Sequence, residues 1–144
     1  MTTILTKEKI MLQAKPSDKW EAIRLAGELL VKAGHVTQEY VDKMKEREEL
    51  ATTYIGSGVA IPHGTNESKE QIKSTGISVV QVPDGVDFGE GNTAYLLFGI
   101  AGAGDDHLEV LSQIAVICSE EENVKKAAQA TTADEILALF AKEL

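Results

Sequence analysis

The sequence predicts an α/β (α+β) domain in which a mixed central sheet is flanked by helices on both faces. Helical periodicity runs from about residue 17 to residue 50 and returns after residue 105, whereas all but one of the strand-like apolar runs lie between residues 52 and 101. The run at 94–100 is nearly all apolar, as in a central strand that is covered on both faces. No repeat, low-complexity tract or linker interrupts the chain, so we expect a single domain over residues 1–144.

Composition excludes several classes of function. The formal net charge is −9 and the pI is about 4.8, which argues against nucleic acids and anionic membranes as partners because both bind basic surfaces. Cys118 is the only cysteine, so no intrachain disulfide can form and a cytoplasmic location is expected. Since Cys118 lies on the apolar stripe of a predicted helix, we expect it in the core. No apolar run approaches the ~18 residues of a membrane span, and the N-terminus lacks a signal-peptide pattern.

Two helices are predicted in the first third of the chain. Ser17 or Asp18 can cap the first helix, and Gly34 is a suitable residue to end it. Thr37 can cap the second helix. The charged residues of this second helix are expected on a solvated face; they are Lys43, Lys45, Glu46, Glu48 and Glu49.

The strands are predicted from short apolar runs that turn residues separate. Pro83-Asp84-Gly85 is expected to form a turn between two strands. The predicted strands cover residues 10–12, 53–55, 59–61, 77–82, 86–88 and 94–100.

Three helices are predicted after the last strand. Asp105 or Asp106 can cap the first of them, which runs to Cys118. The other two are expected at 121–130 and, from a cap at Thr132, at 133–143.

Two histidines follow the ends of predicted strands. His63 comes after strand 59–61 and lies between Pro62, which ends a strand, and Gly64, which allows close approach of a ligand. His107 follows strand 94–100 in the first turn of a helix. If the two strands are parallel neighbours, both imidazoles meet at one edge of the sheet, beside a helix start that favours anions. This arrangement favours phosphate chemistry.

Alternatives remain open at this point. His63 can be a structural histidine in a binding module without covalent chemistry, and His107 can be an exposed residue at a helix start. A metal site would draw on His35, His63 and His107, but these are far apart and show no helical pairing. The chain also lacks a nucleophile elbow, a dinucleotide fingerprint and a phosphate-binding Gly-Lys-Ser/Thr loop.

Five segments carry a resemblance to a known family: 21–24, 46–48, 54–65, 83–89 and 99–108. In this order they resemble the mannitol/fructose class of enzyme IIA, a cytosolic component of the bacterial phosphoenolpyruvate-dependent sugar phosphotransferase system. They are most similar to its mannitol branch, and the resemblance covers nearly the whole chain. It implies a mixed sheet flanked by helices, in agreement with the order of elements above.

The resemblance also implies roles for individual residues. His63 matches the histidine that takes a phosphoryl group from the phosphocarrier protein HPr and passes it to a cysteine of enzyme IIB, for uptake and phosphorylation of mannitol. His107 matches a second active-site histidine, and Arg47 matches a functional arginine; both are expected to stabilise the phosphoryl group. The alternative for Arg47 is an exposed cation paired with Glu46 or Glu48.

The expected partners are therefore HPr as donor and enzyme IIB or IICB of the mannitol transporter as acceptor. The transfer requires no metal or other cofactor. Because no linker or IIB-like region follows residue 144, we expect a separate subunit. Ser57 departs from the mannitol branch, where its position often carries an acidic residue. A regulatory, nitrogen-type or a fructose-type enzyme IIA-like protein is the alternative within the family.

Overall fold

The computed structural model describes residues 4–104 and 106–140. The helices are α1 (Lys19–Lys32), α2 (Gln38–Leu50), α3 (Asp106–Cys118), α4 (Glu121–Gln129) and α5 (Ala133–Phe140). The strands are β1 (Ile10–Met11), β2 (Tyr54–Gly56), β3 (Val59–Ala60), β4 (Gly76–Gly89) and β5 (Asn92–Ala101). Short 3-10 turns lie at Lys7–Lys9 and Asn66–Gln71. None of the helices in these ranges is long and apolar enough to cross a bilayer.

The five strands form one mixed sheet in the order β1-β4-β5-β3-β2. β5 occupies the centre, antiparallel to β4 and parallel to β3. Its alternate side chains enter two separate cores: Leu97 lies on the side covered by α1 and α2, whereas Leu96 and Phe98 lie on the side covered by α3, α4 and α5. Helices therefore cover both faces, and the predicted fold class is confirmed.

Local signals set the ends of the first two helices. The Asp18 carboxylate caps α1 by accepting a hydrogen bond from the Glu21 N–H at 2.9 Å, and Gly34 ends it with a φ of +83°. Thr37 does precede α2, but its hydroxyl donates to Gln71 Oε1 at 2.6 Å instead of capping the helix. The predicted position of the cap is therefore correct, but the Thr37 side chain makes no capping hydrogen bond.

The later helices also follow the predictions where the structure describes them. α3 begins at Asp106, and Asp105 lies outside the described residues. The hydroxyl of Thr132 accepts a hydrogen bond from the Glu135 N–H at 3.3 Å, as expected of a cap. The predicted end of the last helix, beyond residue 140, also lies outside the described residues.

The prediction of a turn at Pro83-Asp84-Gly85 is wrong. β4 continues through this segment to Gly89, and the pairing register with β5 shifts between Gln81 and Val86. Gly85 has a φ of +80°, so the extra residues form a bulge that bends the strand without reversing it. The chain reverses instead at Glu90 and Gly91, both with positive φ.

Candidate active site

The two predicted histidines lie side by side at one edge of the sheet. β3 and β5 are parallel neighbours, as the prediction required. His63 follows β3, and His107 is the second residue of α3, which follows β5. Their ring centroids are 5.1 Å apart, with the ring planes inclined at 59°. The topology of the sheet therefore brings both imidazoles together, although 44 positions separate them in the chain (107 − 63).

His63 is fixed by the backbone on both sides of it. The carbonyl of Pro62 accepts a hydrogen bond from the Ile100 N–H at 2.9 Å, so the parallel pairing with β5 extends past the proline as a bridge between His63 and Ile100. Nδ1 of His63 lies 2.7 Å from the carbonyl oxygen of Ile61. Because a carbonyl can only accept, Nδ1 carries the proton and Nε2 carries the lone pair of the neutral ring.

Tyr40 of α2 holds the residue that follows His63. Its hydroxyl donates to the carbonyl of Ile100 at 2.7 Å and accepts from the N–H of Gly64 at 2.8 Å. Burial raises the pKa of Tyr40 to about 12, so the hydroxyl stays protonated and can donate. A Cβ on Gly64 would lie 2.4 Å from Ser68 Oγ and 2.5 Å from the Tyr40 ring, and only glycine fits there.

His107 is brought close by a second tight contact. A Cβ on Gly102 would lie 2.4 Å from the Cα of His107, so only a glycine lets the start of α3 pack this closely on the end of β5. Next to it, Asp106 Oδ2 accepts a hydrogen bond from Thr75 Oγ1 at 2.7 Å, which fixes the first turn of α3 to the segment before β4. A small cavity of about 30 Å³ lies between Gly64, Gly102 and His107.

Burial and neighbouring cations keep both imidazoles neutral. Burial is the largest cause that lowers the pKa of His63, and the charges of His107 and Arg47 lower it further. The pKa of His107 is lowered by burial, then by Lys69 and Arg47. His63 is only 8% exposed, yet its Nε2 has no carbonyl partner like the one at Nδ1 among residues 4–104 and 106–140. A neutral, partly desolvated imidazole of this kind can act as a nucleophile.

Arg47 lies in the last turn of α2 and is partly exposed. Its Nη1 donates to the carbonyl of Ala51 at 2.6 Å. The expected alternative, pairing with Glu46 or Glu48, is wrong, because Glu46 pairs with Lys43 at 3.1 Å and Glu48 pairs with Lys19 at 3.3 Å. The charge of the guanidinium thus lowers the pKa of both imidazoles. In the described part of the chain, no carboxylate is paired with it.

The expectation that Glu48 lies on a solvated face is also wrong. Glu48 is 3% exposed, and its Oε1 accepts from both the N–H and the hydroxyl of Thr53, at 2.8 and 2.7 Å. Its position on the helix alone predicts that the Glu48 side chain is exposed to solvent. The segment after α2 folds back over this side of the helix and covers the carboxylate.

Two residues near the site carried no signal in the sequence. Lys69 lies in the 3-10 turn after His63, beside His107, and Tyr40 is one of several apolar positions on α2. Their roles follow from contacts between segments distant in sequence, which residue type and spacing do not report.

The other predicted candidates lie apart from the pair. His35 contacts Lys9 Nζ through Nε2 and Ser74 Oγ through Nδ1, at 2.7 and 2.8 Å. Cys118 is buried in the core, and burial raises the pKa of its thiol to about 12. Within residues 4–104 and 106–140, no three histidine, cysteine, aspartate or glutamate side chains converge as metal ligands.

Fold and site together define a class of protein. It is an α/β protein that presents one histidine with a lowered pKa at a strand end, with a second imidazole and two cationic side chains beside it. Such a site suits covalent reaction with an anionic electrophile, because positive charge and hydrogen-bond donors next to the reacting group stabilise its negative charge.

Comparison with known proteins identifies the family. Residues 3–143 match the family model described as "Phosphoenolpyruvate-dependent sugar phosphotransferase system, EIIA 2". The mannitol-specific phosphotransferase enzyme IIA component of Geobacillus stearothermophilus is 55% identical over 137 residues, which cover 95% of this chain and 94% of that protein. The chain therefore belongs to the EIIA 2 family of the sugar phosphotransferase system and is a phosphotransferase component, as the resemblance predicted.

Two solved structures support the same conclusion. Enzyme IIA mannitol in its complex with phosphorylated enzyme IIB, from Escherichia coli, superposes with a TM-score of 0.91 at 41% identity and covers 96% of this chain and 97% of that one. The crystal structure of IIA mannitol from Escherichia coli gives a TM-score of 0.89 at 42% identity, with 94% and 98% coverage.

Proposed function

We propose that this chain is a mannitol-specific enzyme IIA that carries a phosphoryl group on His63. It accepts the group from phospho-HPr and passes it to a cysteine of enzyme IIB or IICB, in the cytoplasm, for uptake of mannitol. One domain spanning the whole chain does this work. The relatives support the sugar, since they are named mannitol-specific at 55% identity, and one relative was solved with phosphorylated enzyme IIB.

One observation carries the proposal: the contact between His63 Nδ1 and the carbonyl of Ile61 at 2.7 Å. It keeps the proton on Nδ1 and leaves the lone pair on Nε2, so Nε2 is the nitrogen that attacks. When Nε2 bonds to phosphorus, the ring becomes positively charged, and the same carbonyl dipole stabilises that charge.

The transfer balances in electrons and charge. The lone pair of Nε2 forms a new P–N bond while the P–N bond of phospho-HPr breaks, and the bonding pair returns to the imidazole of HPr. In the second transfer, a cysteine thiolate of enzyme IIB attacks phosphorus and Nε2 leaves with its lone pair. No proton needs to leave Nδ1 in either direction.

His107 and Arg47 stabilise the phosphoryl group as it moves. The transition state is loose, with charge spread over the three equatorial oxygens, so alignment and positive charge are the main contributions of the protein. Arg47 supplies permanent charge, and His107 supplies a ring N–H. Neither holds the group very tightly, because tight binding of the phosphorylated state would slow the second transfer.

Reconstitution with labelled phosphoenolpyruvate, enzyme I and HPr tests the proposal. Label is expected on the wild type and on His35→Gln, the histidine control away from the pair, and not on His63→Ala. Label on His63→Ala would overturn the assignment. Nitrogen NMR of the phosphorylated protein is expected to show phosphorus on Nε2, and membranes that contain a mannitol IICB are expected to phosphorylate mannitol and not fructose.

A further inference from the structure

We infer that Glu48 is a positioning residue for phosphoryl transfer: one buried carboxylate sets the placement of both His63 and Arg47. The inference rests on the proposed function and assigns a role to a residue that does not touch the phosphoryl group. The side chain of Glu48 is fully shielded from solvent, at a position of α2 where the helix pattern predicts exposure.

The carboxylate of Glu48 is fully engaged. Oε1 accepts from the N–H and the hydroxyl of Thr53, and Oε2 accepts from Lys19 Nζ at 3.3 Å. Burying a charge is costly unless hydrogen bonds and a partner compensate it, and these three donors provide the compensation. The contacts join α2 and α1 to the segment that leads into β2.

A chain of hydrogen bonds continues from Thr53 to the nucleophile. The carbonyl of Thr53 accepts from the Ile61 N–H at 3.0 Å, and the carbonyl of Ile61 accepts from His63 Nδ1 at 2.7 Å. Each group in this series of hydrogen bonds orients the next one. The position of Glu48 therefore fixes the acceptor that decides which nitrogen of His63 carries the proton.

The same carboxylate fixes the guanidinium. Arg47 donates to the carbonyl of Ala51, two residues before Thr53. Because Glu48 holds Thr53 against the end of α2, it also limits where the Ala51 carbonyl can lie. One anchor thus sets two functional groups that approach the phosphoryl oxygens from different elements.

Electrostatics provides a third link. Burial is the main cause that lowers the pKa of His63, and the negative charge of Glu48 acts in the opposite direction, against His107 and Arg47. Loss of that charge makes the Nδ1 proton more acidic and destabilises the cationic ring of the phosphorylated state.

Three variants test the inference. Glu48→Gln removes the charge and one acceptor while keeping the size. Thr53→Val removes only the hydroxyl donor and leaves the buried charge and the backbone contact. Glu49→Gln, on the exposed side of the same helix, is the matched control. The readouts are the tautomer of His63, from its ring nitrogen shifts, and the single-turnover rate of phosphoryl transfer from phospho-HPr.

Glu48→Gln is expected to shift part of His63 toward the Nε2–H tautomer, to lower its pKa and to slow transfer about tenfold or more at an unchanged half-saturating concentration of phospho-HPr. Thr53→Val is expected to show the same changes, about threefold in rate, through a looser Thr53. Glu49→Gln is expected to match the wild type.

A folded Glu48→Gln protein with the wild-type tautomer and rate would overturn the inference, as would an unchanged Thr53→Val protein. The tautomer is measured without any partner, so this failure differs from failure of the proposed function, in which the wild type itself takes no label from phospho-HPr.

Discussion

Tyr40→Phe removes a single oxygen atom that connects β5 to the segment after β3, next to His63. The tyrosine is 1% exposed, and its hydroxyl lies between the N–H of Gly64 and the carbonyl of Ile100. Phenylalanine keeps the ring and its packing but leaves both backbone groups without this partner. The substitution therefore isolates the hydrogen bonds from the hydrophobic contribution of the side chain.

The cost follows from the number of groups left unsatisfied. A buried donor or acceptor without a partner costs about 1–3 kcal/mol, so two such groups give about 2–6 kcal/mol. The cavity of about 30 Å³ next to Gly64 is large enough to admit a water molecule, which can satisfy one group in part. We therefore expect the free energy of unfolding to fall by about 2–3 kcal/mol, at the lower end of that range.

Urea unfolding measures this difference, with Tyr95→Phe as the control because Tyr95 is 39% exposed. Tyr95→Phe is expected to change the free energy of unfolding by less than about 0.5 kcal/mol, as surface substitutions usually do. Equal stabilities of the two variants would refute the bridging role of the Tyr40 hydroxyl.

Four further outcomes are expected. Lys69→Ala should raise the pKa of His107 in an NMR titration, since the lysine charge lowers it; an unchanged pKa would place Lys69 outside the site. Transfer to His63 should slow as the pH falls below 6.5, through its lowered pKa, because only the neutral ring attacks. As the pH falls from 6.5 through the lowered pKa of His63, the unfolded chain binds a proton at a higher pH than the folded protein does. The free energy of unfolding should therefore decrease over this range, and a value independent of pH would contradict the pKa shifts. Gly102→Ala should destabilise the protein by about 1–3 kcal/mol and move His107, as thermal unfolding and its ring shifts would report.

The features that sequence predicted are those that local chemistry dictates. Asp18 and Gly34 bound α1 because capping and positive φ depend on residues next to each other in the chain. The apolar run of β5 predicted a central strand because burial on both faces leaves no polar positions. The meeting of His63 and His107 followed from one topological condition, that β3 and β5 are parallel neighbours.

The features that sequence missed depend on what another segment covers. Glu48 has the pattern of an exposed helix position, and only the return of the chain through Thr53 buries it. Pro83 and Gly85 are common in turns, but a strand as long as β4 can absorb them as a bulge. Contacts of this kind depend on which distant segment packs against a residue, and the residue's own type does not predict that.

The bridge between His63 and Ile100 determines when the backbone of His63 becomes ordered. It joins His63 by an isolated bridge to the central strand β5, and core strands of this kind open with free energies close to that of global unfolding. The Ile100 amide, which donates to the Pro62 carbonyl, should accordingly be among the slowest to exchange with deuterium. The ordering entropy of the His63 backbone is thus lost once, when the chain folds. If the proposed transfers occur at His63, neither partner protein has to supply this ordering entropy from its own binding energy.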